Sequence, residues 1–433
     1  MTVHVAPHIA VEPSDSLRES HASSRRTSSR QSAAHASAVA NHITSYVERT
    51  FSAGSSALSL IIVTDVGPDP DDAKALLITA TLHCQRLVTL RAVIANGGHQ
   101  ATERARLARC LLDHVGAHHV PVGVGSAGHV YTPQPHEYAL DGYERTSERA
   151  LLDGRELFVD VLRRAAPRSL RVVLISSLRD FADVIAAHPE LVLAKVHTVA
   201  IQGGLQPSDS GVAGWEPDSS VNNTFDMAAA RTVYSFCFSS GLPMTVTSRN
   251  AVPMLPMQLA RSFADRTHCP VMRYLAEAQY FGLEGLWRKL CAGKLPARCT
   301  KQWFFETFCG VAPADFEARG LDALGADVPI SAHLNGFVKP YDVVSLMTVI
   351  PQTAALFAAD ARFEFNQTSH MLLLEPKHTV DVSRMLNLLR ETCARVRVGA
   401  LEASRREAGA PRRAAGAPPV SYTHLTLPTK RIV

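Results

Sequence analysis

At 433 residues with 46% hydrophobic content, the chain is long enough to bury one large α/β core or two ordinary ones. Lys and Arg number 44 against 40 Asp and Glu, a formal net charge of +4, and Phe, Trp and Tyr reach only 6%. That balance excludes the dense basic, aromatic face of a nucleic-acid binder. With no apolar run near the roughly 20 residues that span a bilayer, the sequence reads as a soluble cytoplasmic protein without a membrane partner.

Residues 1–56 are rich in Ser, Arg, Ala and His, as in Ser23-Ser24-Arg25-Arg26-Thr27-Ser28-Ser29-Arg30, and offer too few large apolar side chains to build a core. Disorder is expected there. The composition is faintly like an organellar transit peptide, against which Glu12, Asp15 and Glu19 stand, so import by this tail stays open. A second tail, 400–433, is rich in Ala, Arg, Gly and Pro, and about its last 14 residues read as a translated sequencing adaptor. The folded unit expected between them is 57–399. Its eight-cysteine complement, Cys393 included, has no CxxC pair or zinc-type spacing and reads as reduced, mostly buried thiols.

The first strand is Leu58-Ser59-Leu60-Ile61-Ile62-Val63, stopped by Gly and Pro, with helical apolar spacing from Asp71 onward. A second strand, 87–94, ends at Asn96-Gly97-Gly98-His99, and an amphipathic helix is expected over 100–115. Strands follow at 120–124, 171–175, 196–201 and 243–247, with a helix from Asp226 before the last. Residues 252–310 read as largely helical, and 371–374 followed by a helix over 381–393 closes the fold. Strand alternating with helix predicts an open, mainly parallel twisted α/β sheet, Rossmann-like, with helices on both faces and a helical C-terminal part.

Four carboxylates, Asp65, Asp69, Asp71 and Asp72, fall within eight residues directly after the first strand. Ligands bind at the carboxyl ends of strands in such sheets, and crowded carboxylates repel one another unless a cation holds them; an all-oxygen set suits a hard ion such as calcium or magnesium. Asp71 or Asp72 capping the helix is the plain alternative, as it is for Asp226 and for Asp342 before Val343-Val344-Ser345-Leu346-Met347. Other strands stop at Ser176-Ser177 and Gln202-Gly203-Gly204, so one shared pocket is expected.

These residues resemble the inosine-uridine-preferring nucleoside hydrolases from about Leu58 to Val396. The resemblance rests on Asp65-Val66-Gly67-Pro68-Asp69-Pro70-Asp71-Asp72-Ala73, Gly98-His99-Gln100-Ala101-Thr102-Glu103, Ile201-Gln202-Gly203-Gly204, Asn222 before Asp226, and Tyr341-Asp342. It implies calcium-dependent cleavage of the N-glycosidic bond of a ribonucleoside or related riboside, in a homo-oligomer, dimer or tetramer. Asp72, Asp342 and the Ile175 carbonyl are the implied metal ligands, with Asp65 or Asp69 as ligand and water-activating base. Asp71, Asn222, His99 and Gln202 are the implied sugar contacts. Ser220 stands where the family has a glutamate, and Tyr341 where it has a histidine that assists the leaving base; His99 and His333 are further candidates for that proton. The alternative is a non-catalytic paralogue that binds a sugar or metal. A magnesium-dependent phosphohydrolase is a third reading, without a phosphate-cradling Gly-rich loop to support it.

Overall fold

The computed structural model describes residues 58–391 apart from 68, 98–100, 129–135, 147–150, 267–268 and 360–361. The expected tails and His99 lie outside the described residues. The chain runs β1 (Leu58–Thr64), α1 (Pro70–Cys84), β2 (Val88–Ala95), α2 (Ala101–His114), β3 (Val122–Val124), β4 (Leu151–Asp153), α3 (Gly154–Arg164), β5 (Leu170–Leu174), α4 (Arg179–Ala187) and β6 (Val196–Gln202). An antiparallel hairpin, β7 (Leu205–Val212) and β8 (Trp215–Pro217), leads into α5 (Val221–Phe225), α6 (Met227–Ser240) and β9 (Met244–Thr247). The C-terminal part carries β10 (Leu255–Pro256), α7 (Pro270–Cys291), β11 (Phe337–Val338), α8 (Tyr341–Met347), β12 (Arg362–Phe365) and β13 (Thr368–Leu373), with short helices between and a final helix over 379–391.

Nine strands form one sheet in the order β12-β13-β9-β6-β5-β1-β2-β3-β4, parallel throughout except β12. The sequence signal for this lies in β1, whose seven residues are all buried. Leu60 and Ile62 pack into one apolar cluster with α1, α2 and α7, while Ile61 and Val63 pack into the other with α3, α4 and α6. Side chains alternate faces along a strand, so a strand buried on both faces reads as a continuous apolar run. Helices on both faces follow, as the strand and helix alternation predicted.

From β1 the chain winds outward through β2, β3 and β4, then returns to the other side of β1 for β5 and winds through β6, β9 and β13. The winding direction therefore reverses between β1 and β5. At such a reversal the connections leaving adjacent strands part to opposite faces and open a crevice at the carboxyl edge. The turn from Asp65 to Asp69 follows β1, and Ile175-Ser176-Ser177 follows β5. The seven described cysteines are free, including Cys291, Cys299 and Cys309. Among the described residues no helix is long and apolar enough to cross a membrane.

Candidate active site

The turn after β1 sorts its aspartates by position. Asp69 has extended backbone and is the N-cap of α1, its Oδ1 accepting the Asp71 N–H at 3.1 Å, with Pro70 in the first turn where its missing N–H costs nothing. The cap therefore falls on Asp69, not on Asp71 or Asp72, which are freed and buried in the first turn. Asp72 Oδ1 accepts the Thr64 hydroxyl at 2.5 Å and the Asp65 N–H at 3.1 Å, tying the helix start to the strand end. Asp71 Oδ2 accepts the backbone N–H of Asp342 at 3.0 Å, which links residues 271 positions apart. Asp342 does not cap α8; Pro340 holds that position without a side-chain cap, and Asp342 lies buried in the first turn. Asp226 does cap α6, accepting the Ala229 N–H at 2.9 Å.

Asp65, Asp71, Asp72 and Asp342 thus meet in one crevice. Burial pushes Asp71 up to about 7, and burial with repulsion from the neighbouring aspartates holds Asp72 and Asp342 well above the ordinary carboxylate range. Burial also raises Asp65, against the opposing pull of Arg104. Gly97 makes the crowding possible. It sits at φ +79, and a Cβ there would come within 3.1 Å of the Asp65 Cβ.

Two cations that the sequence reading passed over balance part of this charge. Arg104, on α2, lies 3.2 Å from Asp65 Oδ2 and also donates to the Asp65 carbonyl. Lys74, on α1, is buried beside Asp71, Asp69 and Asp342 and donates to Gln279 Oε1 of α7 at 2.7 Å. The carboxylates of the crevice outnumber these two cations, so it carries an excess of negative charge. Asp71 Oδ1 is buried with no hydrogen-bond partner. Oxygen chemistry and charge fit a hard divalent ion. As the side chains stand, no three Asp, Glu, His or Cys groups among the described residues enclose a common point as ligands would. Ile175 stands at the switch point, its N–H bonded to the Val63 carbonyl at 3.0 Å.

On the far side of the crevice, Asn222 is buried and its amide donates to Gln202 Oε1 at 2.7 Å and to the Gln202 carbonyl at 3.2 Å. Ser220 is buried with its hydroxyl unpartnered. The Tyr341 hydroxyl is held above its usual range by burial first and then by Asp71 and Asp69. His333 is turned elsewhere, its ring edge-on to Phe305 with centroids 6.0 Å apart. Asn96, at the end of β2, donates to the Ser177 carbonyl at 3.0 Å and to Asp180 Oδ2 at 2.6 Å, while its own Oδ1 is buried without a partner. Its position directly after the strand was the available signal. Buried acceptors without partners recur along this edge: Asp71 Oδ1, Asn96 Oδ1, Ser176 Oγ, Ser220 Oγ and Thr247 Oγ1.

An open, mainly parallel sheet with a carboxylate crevice at its switch point defines a doubly wound α/β protein. Neither a family model nor a curated protein sequence matches the chain. Among solved structures it is similar to the type III effector XopQ complexed with adenosine diphosphate ribose, at 23% identity and a TM-score of 0.66 over 82% of this chain and 98% of that one. The effector XOO4466 is similar at 22% identity and a TM-score of 0.65, with the same coverage. A purine-preferring ribonucleoside hydrolase from Gardnerella vaginalis matches at 14% identity and a TM-score of 0.48, over 78% of this chain and 98% of its own. At these identities the likeness is one of fold.

Proposed function

We propose that the chain is a calcium-dependent N-ribosyl hydrolase that releases a base from a nucleoside or related riboside. The observation carrying this is the row of buried, unpartnered oxygen acceptors around the four-carboxylate crevice. Buried polar atoms without partners are costly, and a polyhydroxylated ligand with a hard cation would satisfy them together. Asp72, Asp342, Asp65 and the Ile175 carbonyl would hold calcium, which when bound orients water and the sugar diol and offsets the carboxylate charge.

The chain's own groups then divide the work. Asp65, at the strand end within the crevice, takes the proton from the attacking water; Asp69 is exposed and spent on capping α1. Asp71, through Oδ1, accepts from a ribose hydroxyl, with Asn222, Gln202 and Asn96 along the sugar. The surrounding carboxylates favour the oxocarbenium-like charge that develops as the bond to the base breaks. Tyr341, its proton held firmly by burial, donates a hydrogen bond to the leaving base.

One observation favours a second reading, sugar binding without turnover: the Asp65 carboxylate is ion-paired with Arg104, which occupies it and opposes the rise that burial gives it. Incubating the full chain with calcium and a panel of ribonucleosides, and measuring free base, separates the two. Base release that EDTA abolishes supports hydrolysis. Calorimetric binding of a nucleoside with no base released overturns it in favour of binding alone.

A further inference from the structure

Where the residues after β9 meet the segment entering α8, positive charge gathers on the sugar side of the crevice. Arg249 lies two residues beyond β9, and its Nη1 is buried without a hydrogen-bond partner. Among the described residues its ion-pair partner is Asp218, whose Oδ2 is 3.7 Å away, beyond hydrogen-bond reach. Asp218 is itself held from its other side. Its Oδ1 accepts the Ser220 N–H at 2.8 Å and the Asn223 amide at 3.2 Å. Lys339 approaches from the opposite segment, its Nζ 3.4 Å from the Arg249 carbonyl and 5.9 Å from the centre of the Tyr341 ring.

Ser220, whose N–H bonds the same Asp218, is buried with its hydroxyl unpartnered, two positions before Asn222. A neutral sugar hydroxyl needs no guanidinium and ammonium together. Two cations and a hydroxyl donor, with Nη1 hydrogens unspent, match the several acceptor oxygens and the charge of a phosphoryl group. Resting on the riboside reading above, we propose that Arg249, Lys339 and Ser220 form an anion subsite, so that the substrate carries a phosphoryl group on its sugar.

The carboxylates of the crevice would repel such a group. The Tyr341 ring links the two groups of charges: Asp71 and Asp69 raise its hydroxyl and Arg249 lowers it, while Lys339 Nζ lies 5.9 Å from the ring centre. This divides the pocket into an acidic half for the scissile bond and a basic half for the phosphoryl group.

Calorimetry on the full chain with calcium, comparing adenosine, AMP, ADP-ribose and inorganic phosphate, tests the assignment. AMP or ADP-ribose should bind about ten- to a hundredfold more tightly than adenosine, with the advantage shrinking as salt rises. Arg249→Gln should reduce that ratio about tenfold, and Lys339→Gln should reduce it as well if Arg249→Gln folds poorly. Adenosine binding as tightly as both phosphorylated ligands overturns the subsite while leaving the hydrolase reading intact. Inorganic phosphate binding as tightly as AMP without competing against adenosine marks a separate anion site and also overturns it. Binding of none of the ribosides overturns both readings.

Discussion

Replacing Asp71 by Asn isolates the cost of the buried carboxylates. In the folded chain without metal, burial and neighbouring charge raise Asp71 from 3.8 to about 7. A folded-state value above the unfolded one means the native state binds the extra proton, so its contribution to stability is full below about pH 4 and is lost as pH rises through 7. The three-unit difference corresponds to about 4 kcal/mol, of which roughly 2.7 falls between pH 5 and pH 8. Asp71 is only 4% exposed, so solvent screening takes little from this. Over residues 58–391 an unfolding entropy near 2.1 cal/mol/K per residue converts that loss to about 4 °C of Tm. Asn keeps the acceptor for the Asp342 N–H but carries no charge. Thermal unfolding in EDTA should therefore fall with pH more steeply for the wild type than for Asp71→Asn, the two curves separating by about 4 °C between pH 5 and pH 8. Calcium at a hundred times its Kd should restore a similar amount to the wild type at pH 8, since binding to the native state alone contributes about 2.7 kcal/mol. Parallel curves for the two proteins, or a wild type that gains stability over this interval, would refute the account.

Asp72→Ala removes the acceptor for Thr64 and Asp65 together with a proposed metal ligand, and should weaken calcium binding at least a hundredfold by calorimetry and abolish base release. Asn222→Ala should raise KM about tenfold in a base-release assay, more than it lowers kcat, because its amide orients Gln202 and the sugar. Gly204→Ala would set a Cβ 2.3 Å from Asp218 Oδ2, and Asp218 is pinned by Ser220 and Asn223. A loss of about 1–3 kcal/mol in urea unfolding is expected.

The sheet was legible because its central strands are buried on both faces. A nearly continuous apolar run answers that burial, in Leu60–Val63, Val172–Ile175 and Val199–Ile201. The hairpin β7–β8 was not legible: Leu205-Gln206-Pro207-Ser208-Asp209-Ser210-Gly211-Val212 is polar, because β7 is mostly exposed and its pairing owes little to burial. Acid residues clustered within one turn announced the crevice, but a cap and a buried ligand both demand Asp near a helix start. Which aspartate does which depends on backbone angles, and those assigned the cap to Asp69. His99, which the family resemblance implied for the sugar shell, lies outside the described residues, while Asn96, three positions earlier, directly follows β2 and is buried with its Oδ1 unpartnered. Arg104 and Lys74 were invisible for a different reason. Each sits in a helical pattern where a cation reads as solvent-facing, and only packing against the carboxylates reveals that it is buried.

Those two cations explain how the crevice can fold with its carboxylates buried. A cluster of four like charges with no countercharge would cost several kcal/mol per group, more than a domain's net stability could absorb. Arg104 offsets charge at the β1 end and Lys74 at the α1 end, while burial and mutual repulsion hold Asp72 and Asp342 well above the ordinary carboxylate range. The division is spatial as well as electrostatic. Arg104 approaches from α2 and Lys74 from α1, and on the function proposed above an external ion would be held between the ends of β1 and β5.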